Sequence, residues 1–169
     1  EFDVLAFNLS AELTYTNVLN MVDLAGVPVR GAQRDASHPL VVAGGHCAFN
    51  PDPLPDFVDA FVLGDGEEAV GGVIEVIGSW RHAGGGSRQG LLRALAGIAG
   101  VYVPSCYEPS YEGGRLRAVT PIVDGVPERT VSDSHILIRL GALERVRHVL
   151  QHILIKLYRF PVVAIPLIV

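Results

Sequence analysis

The chain has 169 residues, 49% of them hydrophobic, which suits one domain, or one domain with appendages, and leaves ample material for a core. The net charge of −5 and the isoelectric point near 5.6 argue against a nucleic-acid partner, because phosphate binding wants a clustered basic face. Charge divides unevenly along the chain, with 8 basic against 17 acidic residues in 1–133 and then 5 against 1 in 134–169.

Residues 3–9 are an apolar run of strand length, with Asn8 or Ser10 placed to cap the next element. From Thr14 to Ala25, Val18, Leu19, Met21, Val22 and Leu24 fall at helical spacing, and Gly26 stops that helix. Val27-Pro28-Val29 reads as a short extended piece and Arg30 to His38 as polar loop. Leu40-Val41-Val42-Ala43 is a continuous apolar run of the kind buried parallel strands show, closed by Gly44-Gly45. Three prolines at alternate positions, Pro51, Pro53 and Pro55, predict a stiff loop with exposed backbone, followed by a single turn at 56–59. Ala60-Phe61-Val62-Leu63 is the next strand. Gly64-Asp65-Gly66 turns it into a helix whose first turn holds Glu67 and Glu68, where carboxylates suit the positive end of the dipole. Gly84-Gly85-Gly86-Ser87 separates that helix from another at 91–98, ended by Gly100. Val101-Tyr102-Val103 is a strand, and Tyr107 to Thr120 reads as a hairpin about Glu112-Gly113-Gly114.

Strands alternating with helices predict an α/β fold, a Rossmann-like, mostly parallel sheet with flanking helices, plus a C-terminal hairpin and a helical tail. In such a sheet the loops after residues 9, 43 and 63 fall on one edge, which makes Asn8 and Ser10, Gly44 and Gly45, and Gly64, Asp65 and Gly66 neighbours and candidate cofactor-binding residues. Glycine turns at strand ends expose backbone N–H groups and admit a flat or phosphorylated group closely. The same residues also suit a tight turn and a helix cap, and the sequence leaves both readings open. No catalytic residue is assigned. His46 beside Cys47 lacks the further ligands that a closed zinc site needs, and His148 with His152 has no carboxylate nearby, so no metal site is expected. Ser105-Cys106 lacks the strand–turn–helix context of a nucleophile elbow. Cys47 and Cys106 read as free thiols of a reducing compartment.

No methionine precedes Glu1, so the chain is expected to begin within a domain. A signal-peptide pattern and an uninterrupted apolar span of about twenty residues are both missing, and a cytoplasmic location is expected. In the tail, Val146, Val149, Leu150, Ile153, Leu154 and Leu157 form a helical stripe with Arg145, Arg147, Lys156 and Arg159 elsewhere. A helix packed on the sheet is preferred there to a membrane-surface helix, and an altered reading frame is a third reading of 134–169.

Three segments, Ala6 to Met21, Gly44 to Pro53 and Asp59 to Glu68, together resemble the N-terminal part of bacterial radical SAM proteins with a cobalamin-binding-like domain. Val101 to Ser105 and Gly125 to Arg129 are similar to the linker before their catalytic barrel. The resemblance implies a partial cobalamin-binding-like domain over 1–103, a hairpin and linker over 104–133, and a tail of unclear origin over 134–169. It also implies cobalamin as the cofactor of the domain. A barrel of the same polypeptide, whose Cys-x3-Cys-x2-Cys motif holds a [4Fe–4S] cluster that cleaves S-adenosylmethionine, would be its partner. This chain has no such triad, and Gly44-Gly45 matches the diglycine that packs along the cobalamin tail. The Asp-x-His-x-x-Gly loop that supplies the cobalt ligand is not found, and Asn8-Leu9-Ser10 departs from the family's Ser-x-Leu element. The chain thus reads as an accessory cobalamin-binding-like domain; the alternative is a structural or interaction domain with a vestigial pocket and no cofactor.

Overall fold

A computed structural model describes residues 2–64, 66–128, 131–132, 135–136 and 162–165. Its centre is a sheet built on three parallel strands, β1 (Val4–Asn8), β2 (Leu40–Gly44) and β3 (Ala60–Val62), as the apolar runs predict. β4 (Val101–Tyr102) pairs antiparallel with β3. The hairpin strands β5 (Tyr107–Glu112) and β6 (Arg115–Pro121) and the short pair β7 (Val131–Ser132) and β8 (His135–Ile136) form two further antiparallel pairs. β9 (Val162–Ile165) runs antiparallel beside β1, so the five-stranded order is β4-β3-β2-β1-β9. Of the tail over 134–169 only β8 and β9 are described, and the predicted helical stripe from Val146 to Leu157 lies outside the described residues.

Among the described residues three helices flank the sheet: α1 (Tyr15–Leu24), α2 (Gly66–His82) and α3 (Arg88–Ala96). α1 buries only Val18 and Val22, while Leu24, on the predicted apolar stripe, is 77% exposed. Its end is closed as a Schellman motif: the Gly26 N–H donates to Asp23 O at 2.9 Å and the Val27 N–H to Val22 O at 3.2 Å, with Val22 and Val27 both buried. Val27 therefore belongs to a helix stop and not to an extended strand. α2 turns Ala69, Val73 and Ile77 inward at a spacing of four. Ser87 caps α3 by accepting the Gly90 N–H at 3.0 Å, and Leu91, Leu92, Leu95 and Ala96 are its buried face.

The antiparallel direction of β4 follows from the number of helices before it. β3 ends at the carboxyl edge of the sheet, and α2 crosses to the amino edge, where Arg81 pairs with Asp3 at the start of β1. α3 then returns the chain, and β4 enters from the carboxyl edge, with the Leu63 N–H donating to Gly100 O at 2.7 Å. One helix would have given a parallel strand; two reverse it.

The core lies between sheet and helices. Val41, Ala43, Ala60, Phe61, Leu95 and Val101 are fully buried, and each large apolar side chain so placed contributes roughly 1.5–3 kcal/mol. The proline loop after β2 is less exposed than its composition predicts. Pro51, Leu54 and Val58 are buried in the core, because a turn bonded from the Leu54 N–H to Pro51 O and from the Val58 N–H to Leu54 O folds these apolar groups inward.

Candidate functional site

The carboxyl edge of the sheet brings the first two candidate turns together. Asn8 is the register partner of Gly44, and the Leu9 N–H donates to Gly44 O at 2.7 Å. The chain then folds into a 3-10 turn, His46–Phe49, instead of continuing extended, and the Cys47 N–H reaches back to Leu9 O at 3.0 Å. Gly45 sits at φ +95° and ψ 174°, a conformation essentially reserved for glycine. A methyl group there would fall on Asn8 Oδ1 and come within 3.0 Å of Leu9 O. The close approach that Gly45 permits is thus to the chain's own first strand. Gly44 faces Val62, whose O and Cβ lie 3.7 and 3.8 Å from a built methyl. Ser10 is half-buried on the loop that leaves β1.

The third turn differs. Gly64, at φ +92°, and Gly66, which opens α2, have nothing within 4 Å of where a methyl would project. Asp65 lies outside the described residues. Gly64 falls two positions past Val62, the β3 residue beside Gly44, so it stands at the same edge but beyond the interlocked β1–β2 ends.

Cobalamin, the group that the resemblance implies, would meet a partly filled edge here. The approach that Gly45 allows is taken by Asn8 and Leu9, while the sides of Gly64 and Gly66 are open. Neither thiol is activated: burial pushes Cys47, at this edge, and Cys106, in the turn beyond the far end of β4, above the ordinary thiol value. Burial likewise raises Tyr15, with Cys47 and Glu12 adding to it, and its hydroxyl donates to Cys47 O at 3.3 Å. Among the described residues no group of three or more His, Cys, Asp and Glu is placed to hold a metal ion, and no helix is long and apolar enough to cross a membrane.

The most concentrated chemistry lies at the opposite, amino edge, in residues whose composition reads as polar loop. The Asp59 carboxylate, 5% exposed, accepts from Arg34 Nη1 at 2.9 Å, from Arg88 Nη2 at 2.8 Å and from the Val41 N–H at 2.7 Å, all on Oδ2. The two guanidinium groups spread outward onto carbonyls. Arg34 donates to Pro28 O, Val29 O and Phe57 O, and Arg88 to Asp35 O, His38 O and Pro39 O, at 2.7 to 3.1 Å. Burial pulls the Arg34 pKa down while Asp59 pulls it up, and the group remains cationic. This knot ties the 28–39 loop to the entrances of β2 and β3 and to α3, so its role is architectural. On its exposed side, the hydroxyl and N–H of Ser37 donate to Asp35 and hold that carboxyl down at about 2. The clue in the sequence is an aspartate directly before a fully apolar strand, at Asp59-Ala60-Phe61.

A small cleft of about 40 Å³ opens beside the knot, lined by Asp3, His38, Ile77, Trp80, Arg88 and Leu91 among others. It is on the far side of the sheet from the glycine turns.

Against known proteins, the family model described as radical SAM proteins, N-terminal, matches residues 1–104. Neither the curated proteins nor the solved structures contain a match.

Proposed function

Because the chain belongs to the family of radical SAM proteins, N-terminal, we propose that it is a non-catalytic accessory domain, a rigid α/β platform for a radical SAM barrel of the same polypeptide. The cysteine count carries this reading. With only Cys47 and Cys106 in 169 residues, the chain cannot by itself supply the three thiolates that its resemblance assigns to the [4Fe–4S] cluster. Cluster and S-adenosylmethionine chemistry therefore belong to the barrel, and this domain acts through position.

Between a cofactor module and a structural one, the packing at Gly45 favours the structural one. The diglycine admits Asn8 and Leu9, which leaves the open side of Gly64 and Gly66 as the part of the edge where cobalamin has room. Titration of the purified chain with hydroxocobalamin, followed in the visible spectrum, tests this. No spectral change is expected while circular dichroism reports a folded α/β protein. A saturable change that disappears in Gly64→Val would overturn the structural reading and restore the cofactor one.

A further inference from the structure

We propose that the exposed flank of α1 is the docking surface for the chain's own segment 143–158, laid along it as an antiparallel helix. Leu13, in the 3-10 turn Glu12–Thr14 that leads into α1, and Leu24, at the end of α1, are 91% and 77% exposed. The half-buried Met21 falls eight residues after the one and three before the other, which puts all three on one side of the helix. The opposite flank is occupied: the Tyr15 hydroxyl donates to Cys47 O at 3.3 Å, in the turn after β2. Tyr15 and Leu24 stand nine residues apart, about two and a half turns, and so belong to opposite flanks. In the order β4-β3-β2-β1-β9, the flank turned away from β2 is the one on the side of β9.

Connectivity, length and charge name the occupant. β9 pairs Val162 with Phe7 and Ile165 with Val4, so the chain enters β9 at the carboxyl edge, where α1 also begins. A helix over 143–158 therefore ends three linking residues from that edge, within about 14 Å of it, and runs opposite to α1. Its apolar stripe, Val146 to Leu157, spans eleven rises of about 1.5 Å, the same as Leu13 to Leu24. Residues 1–29 hold four acidic and no basic side chains, whereas Arg145, Arg147, Lys156 and Arg159 outnumber the lone Glu144 in 143–159. Laid antiparallel, Arg145 and Arg147 fall at the Asp23 end of α1, and Lys156 and Arg159 at the Glu12 end. Neither acid has an ion-pair partner among the described residues, so both are left to meet that basic charge. This docking is independent of the accessory-domain reading.

Hydrogen–deuterium exchange on the full chain reads the docking. The amides of 146–157 are expected to exchange at least tenfold more slowly than those of an unstructured peptide. Leu24→Asp, and separately Leu13→Asp, should speed them at least tenfold while the β2 amides stay protected, since both leucines are exposed in the folded domain. Tyr111→Asp, at a 63% exposed site on β5, should leave them unchanged. Light scattering is expected to give a monomer. Unprotected 146–157 amides in the parent chain overturn the proposal, and so does protection that survives both leucine variants. Protection lost on dilution of a dimer, which would put a second copy on the flank, overturns it as well, as does protection that appears only on vesicles of anionic lipid.

Discussion

An alanine methyl at Gly45 would land on Asn8 Oδ1 and crowd the Leu9 carbonyl, at a φ and ψ that only glycine adopts comfortably. Strain in that region costs on the order of 1–3 kcal/mol before any clash is added, so Gly45→Ala should lower the urea unfolding free energy by at least about 2 kcal/mol. Asp59 is a sharper case. Removing its charge leaves two buried guanidinium groups without their shared carboxylate, and breaking a buried pair from one side costs about 3–5 kcal/mol. Asp59→Asn is expected in that range. Asp56→Asn, which breaks the Arg30–Asp56 pair at 3.2 Å between side chains 60% and 69% exposed, should cost under about 1 kcal/mol. Measuring both variants by urea denaturation checks the contrast, and equal losses would refute it. Gly45 was legible as part of a glycine turn, because a diglycine closes an apolar run. What it approaches was not, since Asn8 lies 37 positions away in the chain. The Arg34–Asp59–Arg88 knot was hidden for the same reason: its partners are 25 and 29 residues apart, and Arg30 to His38 has the composition of a solvated loop.

Helix α2 contains four glycines in seventeen residues, Gly66, Gly71, Gly72 and Gly78. Each interior glycine weakens a helix by about 1 kcal/mol relative to alanine, and only one has a packing reason. A methyl on Gly72 would meet Ile98 Cγ2 at 3.2 Å, whereas Gly71 and Gly78 face open space. Gly71→Ala and Gly78→Ala should each stabilise by about 0.5–1 kcal/mol, with Gly72→Ala gaining less or nothing, and thermal melts of the three variants would rank them. Element identity was largely readable at this scale. Gly26, the 84–86 glycine run and Ser87 mark helix ends by local chemistry, and they do so in the structure. Element environment was not: the proline loop carries the signals of an exposed turn, yet Pro51 and Leu54 are core residues, since burial depends on what lies opposite.

Across the whole molecule, protection from exchange should follow the layers. The amides of β2, whose first four residues are buried and which is paired on both sides, should be the slowest to exchange in hydrogen–deuterium measurements. Those of β5 from Glu108 to Glu112, in a two-stranded ribbon with exposed side chains, should be among the fastest. Comparable protection of the two would mean that the ribbon is covered in solution. The sequence by itself determined the α/β class, the three parallel strands, the hairpin and the radical SAM resemblance, because apolar periodicity, turn residues and the order of motifs are local properties of a chain. Tertiary structure alone decided that β4 runs backwards, that the diglycine is filled by the chain's own first strand, and that the densest polar chemistry sits at the amino edge. Direction, filling and charge pairing are relations between distant segments, and they exist only once the sheet has brought those segments together.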